Sequence, residues 1–128
     1  MVVAIAVPEI LPDLTVTLVE SDQRKAAFLR AVARELGLRA AVIAERIEAL
    51  DPLGSQVLSA RALAPLDTLL AYAQRHLAPD GIALFPKGAT AAKEIGEALE
   101  HWRFTHHNIP SKTDSDGVIL KIGGIARV

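Results

Sequence analysis

The stretch Thr15 to Leu36, TVTLVESDQRKAAFLRAVAREL, restricts the fold of this chain more than any other. Thr15 to Val19 alternates β-branched and apolar side chains, stops at Glu20, and passes through Ser21 into a run with helical periodicity. Two periods back to back with an acid between them read as strand, acidic tip and helix. Glu20 is therefore expected at the carboxyl end of a buried strand. In open α/β sheets ligands bind at that rim. A carboxylate there can accept hydrogen bonds from both hydroxyls of a nucleotide ribose. The same acid would also suit the positive end of the following helix or simply face solvent.

The rest of the chain repeats the theme. Ser21 is predicted to cap the first helix, Asp22 to favour its positive end, and Phe28, Leu29, Val32, Ala33 and Leu36 to form its buried stripe, with Gly37 as the stop. Arg24, Lys25, Arg30 and Arg34 lie on the other face and read as a solvated row. Ala40 to Ala44 is a second strand, leading into Glu45, Arg46, Ile47 and Glu48. Gln56 to Ala60 is a third, followed by Arg61. Pro65 opens a helix with the stripe Leu66, Leu69, Leu70, Ala73 and Leu77. Pro79, Asp80 and Gly81 predict a turn into strand 82–86, with Lys87 and Gly88 at its end. Thr90 to Glu100 reads as a short helix with Ala92, Ile95, Ala98 and Leu99 inward. Trp102 to Asn108 and Gly117 to Ile122 read as an antiparallel pair.

Alternating strands and helices predict a mostly parallel, doubly wound α/β sheet closed by an antiparallel pair at one edge. Glu20, Glu48, Arg61 and Lys87 then follow successive strands along one rim. With 128 residues, 51% of them hydrophobic, one domain spanning 1–128 is expected. The formal charge of −1 supplies no overall basic field, so a nucleic-acid partner would have to be met by a local patch. The absence of cysteine excludes disulfides and thiolate metal sites. The opening MVVAIAV is too short for a membrane span, and no membrane partner is expected. Residues 2–7 read as the end of a buried helix or a short strand, with Pro8 and Pro12 forcing a turn after them. His101, His106 and His107 surround a predicted edge strand on which neighbours point to opposite faces, which argues against a metal site. Trp102 reads as core or edge cover rather than as a base-stacking platform.

At VTLVESDQRKAAFLRAVARELGL, AERIEAL, SARALAPLDTLLAYAQRHLAPDG and LFPKG, in that order, the chain resembles the RsmG (GidB) family. The resemblance covers about residues 2–122. It implies a Rossmann-like class I S-adenosyl-L-methionine-dependent methyltransferase fold, acting in the cytoplasm on N7 of a guanine in bacterial 16S ribosomal RNA of the small ribosomal subunit, as a monomer and without a metal. By that resemblance Glu20 would hold the cofactor ribose, Ile47 and Glu48 would flank its adenine, Arg61 would line the cofactor and substrate pocket, and Lys87 would lie on the RNA side. No catalytic acid or base is implied, because guanine N7 carries its own lone pair. A non-catalytic remnant or interaction module, and a generic nucleotide-binding α/β domain, are the alternative readings.

The chain departs from that family at its amino terminus. A ribose acid follows its glycine fingerprint by about 20 residues. With the acid at residue 20, the glycine-rich loop and the first strand would fall before Met1. The expectation is an incomplete domain with two strand edges left unpaired, which binds the cofactor poorly and transfers no methyl group.

Overall fold

The computed structural model describes residues 14–61, 64–112 and 116–128. The apolar segment at 2–7 and the prolines after it lie outside them, as does part of the polar loop after Pro110. The chain divides into two compact units, Met1–Leu50 and Asp51–Val128.

In the first unit, strand β1 (Val16–Val19) pairs in parallel with β2 (Ala40–Ile43), Val19 lying opposite Ile43. Helix α1 (Gln23–Glu35) joins them. Its N-cap is Asp22 rather than the predicted Ser21. The Asp22 carboxylate accepts from the Arg24 and Lys25 amides at 2.9 and 3.2 Å, where a hydroxyl would supply a weaker acceptor to the positive helix end. Gly37 ends the helix as expected. At φ 64° it lets Leu38 N–H donate to the Ala33 carbonyl and its own N–H donate to that of Arg34, a left-handed cap that a Cβ would strain. The predicted stripe is rotated. Phe28 and Leu36 are 66% and 54% exposed, whereas Ala26 and Ala33 are buried and Leu29 and Val32 half-buried. A two-stranded sheet offers a narrow face, and the small alanines let the helix approach it closely. Arg30 donates to the Val42 carbonyl at 3.2 Å and Gln23 to that of Ala44 at 3.4 Å, fastening the helix along β2.

The second unit is a four-stranded sheet in the order β3 (Ser55–Ser59), β4 (Leu77–Lys87), β6 (Val118–Arg127), β5 (Trp102–Pro110). β3 and β4 are parallel, while β6 is antiparallel to both β4 and β5. The predicted antiparallel pair therefore does close one edge, with longer strands than the residue pattern showed. Helices α2 (Leu66–His76) and α3 (Ala91–Ala98) cover the face carrying Ala83, Phe85, Leu120 and Ile122, and Leu66, Leu69, Leu70, Ala73, Ile95, Ala98 and Trp102 complete the core. Leu77 leaves the predicted helix to open β4. The predicted turn at Pro79–Gly81 is instead a bulge within β4, where the register moves from Ser55 opposite Leu77 to Val57 opposite Ile82. Gly81 is needed there, since a Cβ would stand 2.8 Å from the Ser55 carbonyl oxygen. In α3 the inward positions are Ala91, Ile95 and Ala98, while Ala92 and Leu99 are exposed. The helix starts one residue later than the pattern suggested, with Thr90 at its N-cap position. Among the described residues, β1 pairs only with β2 and β3 only with β4. Each therefore presents one edge without a strand partner.

Candidate functional site

In the first unit the parallel register sets the carboxyl ends of β1 and β2 side by side. Glu20 directly follows β1, and its backbone N–H donates to the Ile43 carbonyl at 3.0 Å, extending the ladder one step beyond the strand. Ile47 and Glu48 follow β2 on a one-turn 3-10 helix, Ile47–Ala49. These three predicted residues are thus presented from adjoining strand ends. The Glu20 side chain is half-buried. One carboxylate oxygen accepts the Asp22 N–H at 3.2 Å, and the other has no hydrogen-bond partner among the described residues. That contact orients the carboxylate while leaving an acceptor available, which fits hydroxyl recognition. Glu48 is exposed and forms a 3.0 Å ion pair with Arg46. An exposed pair of this kind contributes at most about 1 kcal/mol and yields readily to a ligand. Ile47 is half-buried and supplies an apolar surface of the type an adenine face would meet.

In the second unit Arg61 and Lys87 lie beyond the paired ends of β3 and β4, where Ser59 stands opposite Leu84. Arg61 is exposed. Lys87 is not a free surface cation. Its Nζ donates to the Ala64 carbonyl at 3.1 Å and to Glu94 Oε1 at 3.0 Å. Glu94 also accepts the Leu66 N–H at 3.0 Å and the Thr90 hydroxyl at 3.1 Å. Burial pushes the Glu94 carboxyl up, but the hydrogen bonds from Lys87, Leu66 and Thr90 and the Lys87 charge outweigh it and hold the group below the usual carboxylate range. Reading the chain for acids at strand ends overlooked Glu94, which sits on a helix. Its signal was an acid bordering the Ala91, Ile95, Ala98 stripe, seven residues after Lys87.

Trp102 is core, 1% exposed, as its reading proposed. Its indole N–H donates to Asp67 Oδ1 at 2.6 Å, and the Arg127 guanidinium stands 4.4 Å above its ring. His101 Nδ1 is 3.6 Å from the same Asp67 oxygen. No helix among the described residues is long and apolar enough to cross a membrane.

Solved structures similar to this one share its fold at low identity. An S-adenosylmethionine-dependent methyltransferase, SibL, in its apo form matches with a TM-score of 0.73 at 17% identity, covering 94% of this chain and 46% of that one. A ribosomal protein L11 methylase from Lactobacillus delbrueckii subsp. bulgaricus matches with a TM-score of 0.72 at 18% identity, covering 95% and 63%. The α/β arrangement is thus that of class I methyltransferases. Curated relatives are far closer in sequence. The ribosomal RNA small subunit methyltransferase G of Ruegeria pomeroyi is 50% identical over all 128 residues, and that of Ruegeria sp. strain TM1040 is 52% identical over the same span. The chain spans 63% and 62% of the length of these two relatives. The family model of rRNA small subunit methyltransferase G, GidB, matches residues 1–119, and the chain belongs to that family.

Proposed function

We propose that this chain supplies the ribose and adenine side of an S-adenosyl-L-methionine pocket, and the sheet beneath it, in a methyltransferase acting on guanine N7 of 16S ribosomal RNA in the small subunit. The observation that carries this reading is the half-buried Glu20 carboxylate at the end of β1, next to the Ile47–Ala49 turn, in a chain of this family. Glu20 would accept from the ribose hydroxyls, Ile47 and Glu48 would flank the adenine, and Arg61 would line the cofactor and substrate pocket. When bound, the cofactor supplies an electrophilic methyl group on a sulfonium. Guanine N7 attacks with its own lone pair, so this chain's residues move no proton and act through binding, orientation and charge. The protein would work as a monomer in the cytoplasm, where its ribosomal substrate is assembled.

A second reading, a non-catalytic remnant, is favoured by the edges of β1 and β3 that have no strand partner among the described residues. Methyl transfer needs reacting atoms aligned closely, and a misplacement of about 1 Å can cost ~100-fold in rate. The test is radiolabelled methyl transfer to undermethylated small subunits. It compares the 128-residue chain with a chimaera in which the chain replaces the matching part of the Ruegeria pomeroyi relative and the rest of that relative is kept. The expected result is activity in the chimaera and none above background in the chain. An inactive but folded chimaera would refute the enzymatic reading in favour of the remnant. Equal activity in both would refute the incompleteness of the chain's own pocket.

A further inference from the structure

The rim of the Asp51–Val128 unit carries a charged pair withdrawn from solvent, Lys87 and Glu94, with side chains 10% and 16% exposed. A lysine that reads phosphates extends its ammonium into water towards the polyanion. Lys87 is folded back on its own scaffold, between Glu94 and the Ala64 carbonyl. Glu94 in turn performs a task that the local sequence leaves undone. Pro65, at the N-cap position of α2, has no side-chain acceptor, and the orphan amide of Leu66 is satisfied by the Glu94 carboxylate from another helix. The pair thus ties four places together: Glu94 accepts from Lys87 at the end of β4, from Leu66 in the first turn of α2 and from Thr90 at the start of α3, while Lys87 holds the Ala64 carbonyl just before α2. In the sequence Arg61 stands two residues after Ser59, the last of β3, and three before Ala64.

We infer that Lys87 and Glu94 are positioning residues, a paired anchor that fixes the entry to α2 at Ala64 and Leu66 and with it the presentation of Arg61, three residues before Ala64 in the sequence, to cofactor and substrate. This rests on the reading of Arg61 as a pocket residue. The alternative, Lys87 as a direct phosphate contact, makes a prediction of opposite sign. Removing the Glu94 charge would then liberate the lysine and leave RNA binding equal or tighter, whereas breaking an anchor from either side does the same damage.

Two measurements test the inference. In the 128-residue chain, amide hydrogen exchange followed by NMR should show Leu66 exchanging at least about tenfold faster in Glu94→Ala and in Lys87→Met, with core amides such as Phe85 and Leu120 unchanged. Glu94→Gln serves in place of Glu94→Ala if the latter fails to fold. Unchanged Leu66 exchange in these variants overturns the anchor. In the chimaera, Lys87→Met and Glu94→Gln should each lower kcat/KM for methyl transfer by about tenfold, and neither should lower it more than about twofold further when Arg61 is already alanine. Losses that simply add to that of Arg61→Ala would show a general structural role and overturn the inference. A gain in subunit affinity on Glu94→Gln together with a loss on Lys87→Met would overturn it in favour of phosphate contact. An Arg61→Ala chimaera with full activity would overturn the Arg61 reading and the functional half of the inference, while Leu66 exchange still decides the anchor itself.

Discussion

Replacing Asp67 by alanine should destabilise the Asp51–Val128 unit through one buried donor. The Trp102 indole is 1% exposed, and its N–H is paired with Asp67 Oδ1 at 2.6 Å. Without the carboxylate that N–H loses its acceptor, and leaving a buried donor unsatisfied costs on the order of 1–3 kcal/mol. Asp67 also lies in the first turn of α2, where an acid contributes about 0.3–1 kcal/mol against the helix dipole. Its contact with His101 adds little, because the side chains are 55% and 47% exposed and the atoms 3.6 Å apart. The sum is about 1–4 kcal/mol. For a unit of this size each kcal/mol moves the melting temperature by roughly 4–8 °C, so a fall of about 5–30 °C is expected. Asp67→Asn keeps an acceptor and loses only the charge, and should cost about 1 kcal/mol. Trp102 is the sole tryptophan, so its fluorescence reports this unit directly, and thermal melts of the three proteins side by side make the assay. An Asp67→Ala melt within about 2 °C of the parent, or one equal to Asp67→Asn, would refute the argument from the unsatisfied indole.

Other consequences are equally open to measurement. Glu20→Ala in the chimaera should weaken S-adenosyl-L-methionine binding by about 1–3 kcal/mol in calorimetric titration, the scale for charge-assisted hydrogen bonds, and an unaltered affinity would remove the ribose assignment. The folded Glu94 carboxyl is held below its ordinary value of 4.5, so its contribution to stability is fully present above that pH and is lost as pH falls through the lower folded value. Acid titration of stability should therefore be less steep below about pH 4.5 in Glu94→Gln than in the parent. Gly81→Ala would press a Cβ to 2.8 Å from the Ser55 oxygen and should cost about 1–3 kcal/mol in urea unfolding, as overpacking does, and a neutral result would mean that the β4 bulge relaxes freely.

The order of strands and helices, the position of Glu20 beyond the first strand, the Gly37 stop and the antiparallel closing pair were all legible in the residue pattern. Each follows from local causes: a change of period, a turn residue, a residue able to adopt positive φ. Membership of the family was legible too, through motifs that stay contiguous along the chain. Which face of a helix is buried was a different matter. Phe28 and Leu36 match an inward stripe by hydropathy, yet the narrow β1–β2 sheet is met by Ala26 and Ala33, because close approach favours small side chains. The bulge at Gly81 looked like a turn, since the same residue types serve both and only the register against β3 separates them. Lys87 shows the limit most clearly. The family resemblance set it on the RNA side, and in the fold its ammonium is held by Glu94 on the next helix and the Ala64 carbonyl 23 residues earlier. Local sequence determines where a charged side chain leaves the backbone. Whether that charge faces solvent or is spent inside the scaffold depends on groups brought beside it from elsewhere in the chain, and tertiary packing alone decided it here.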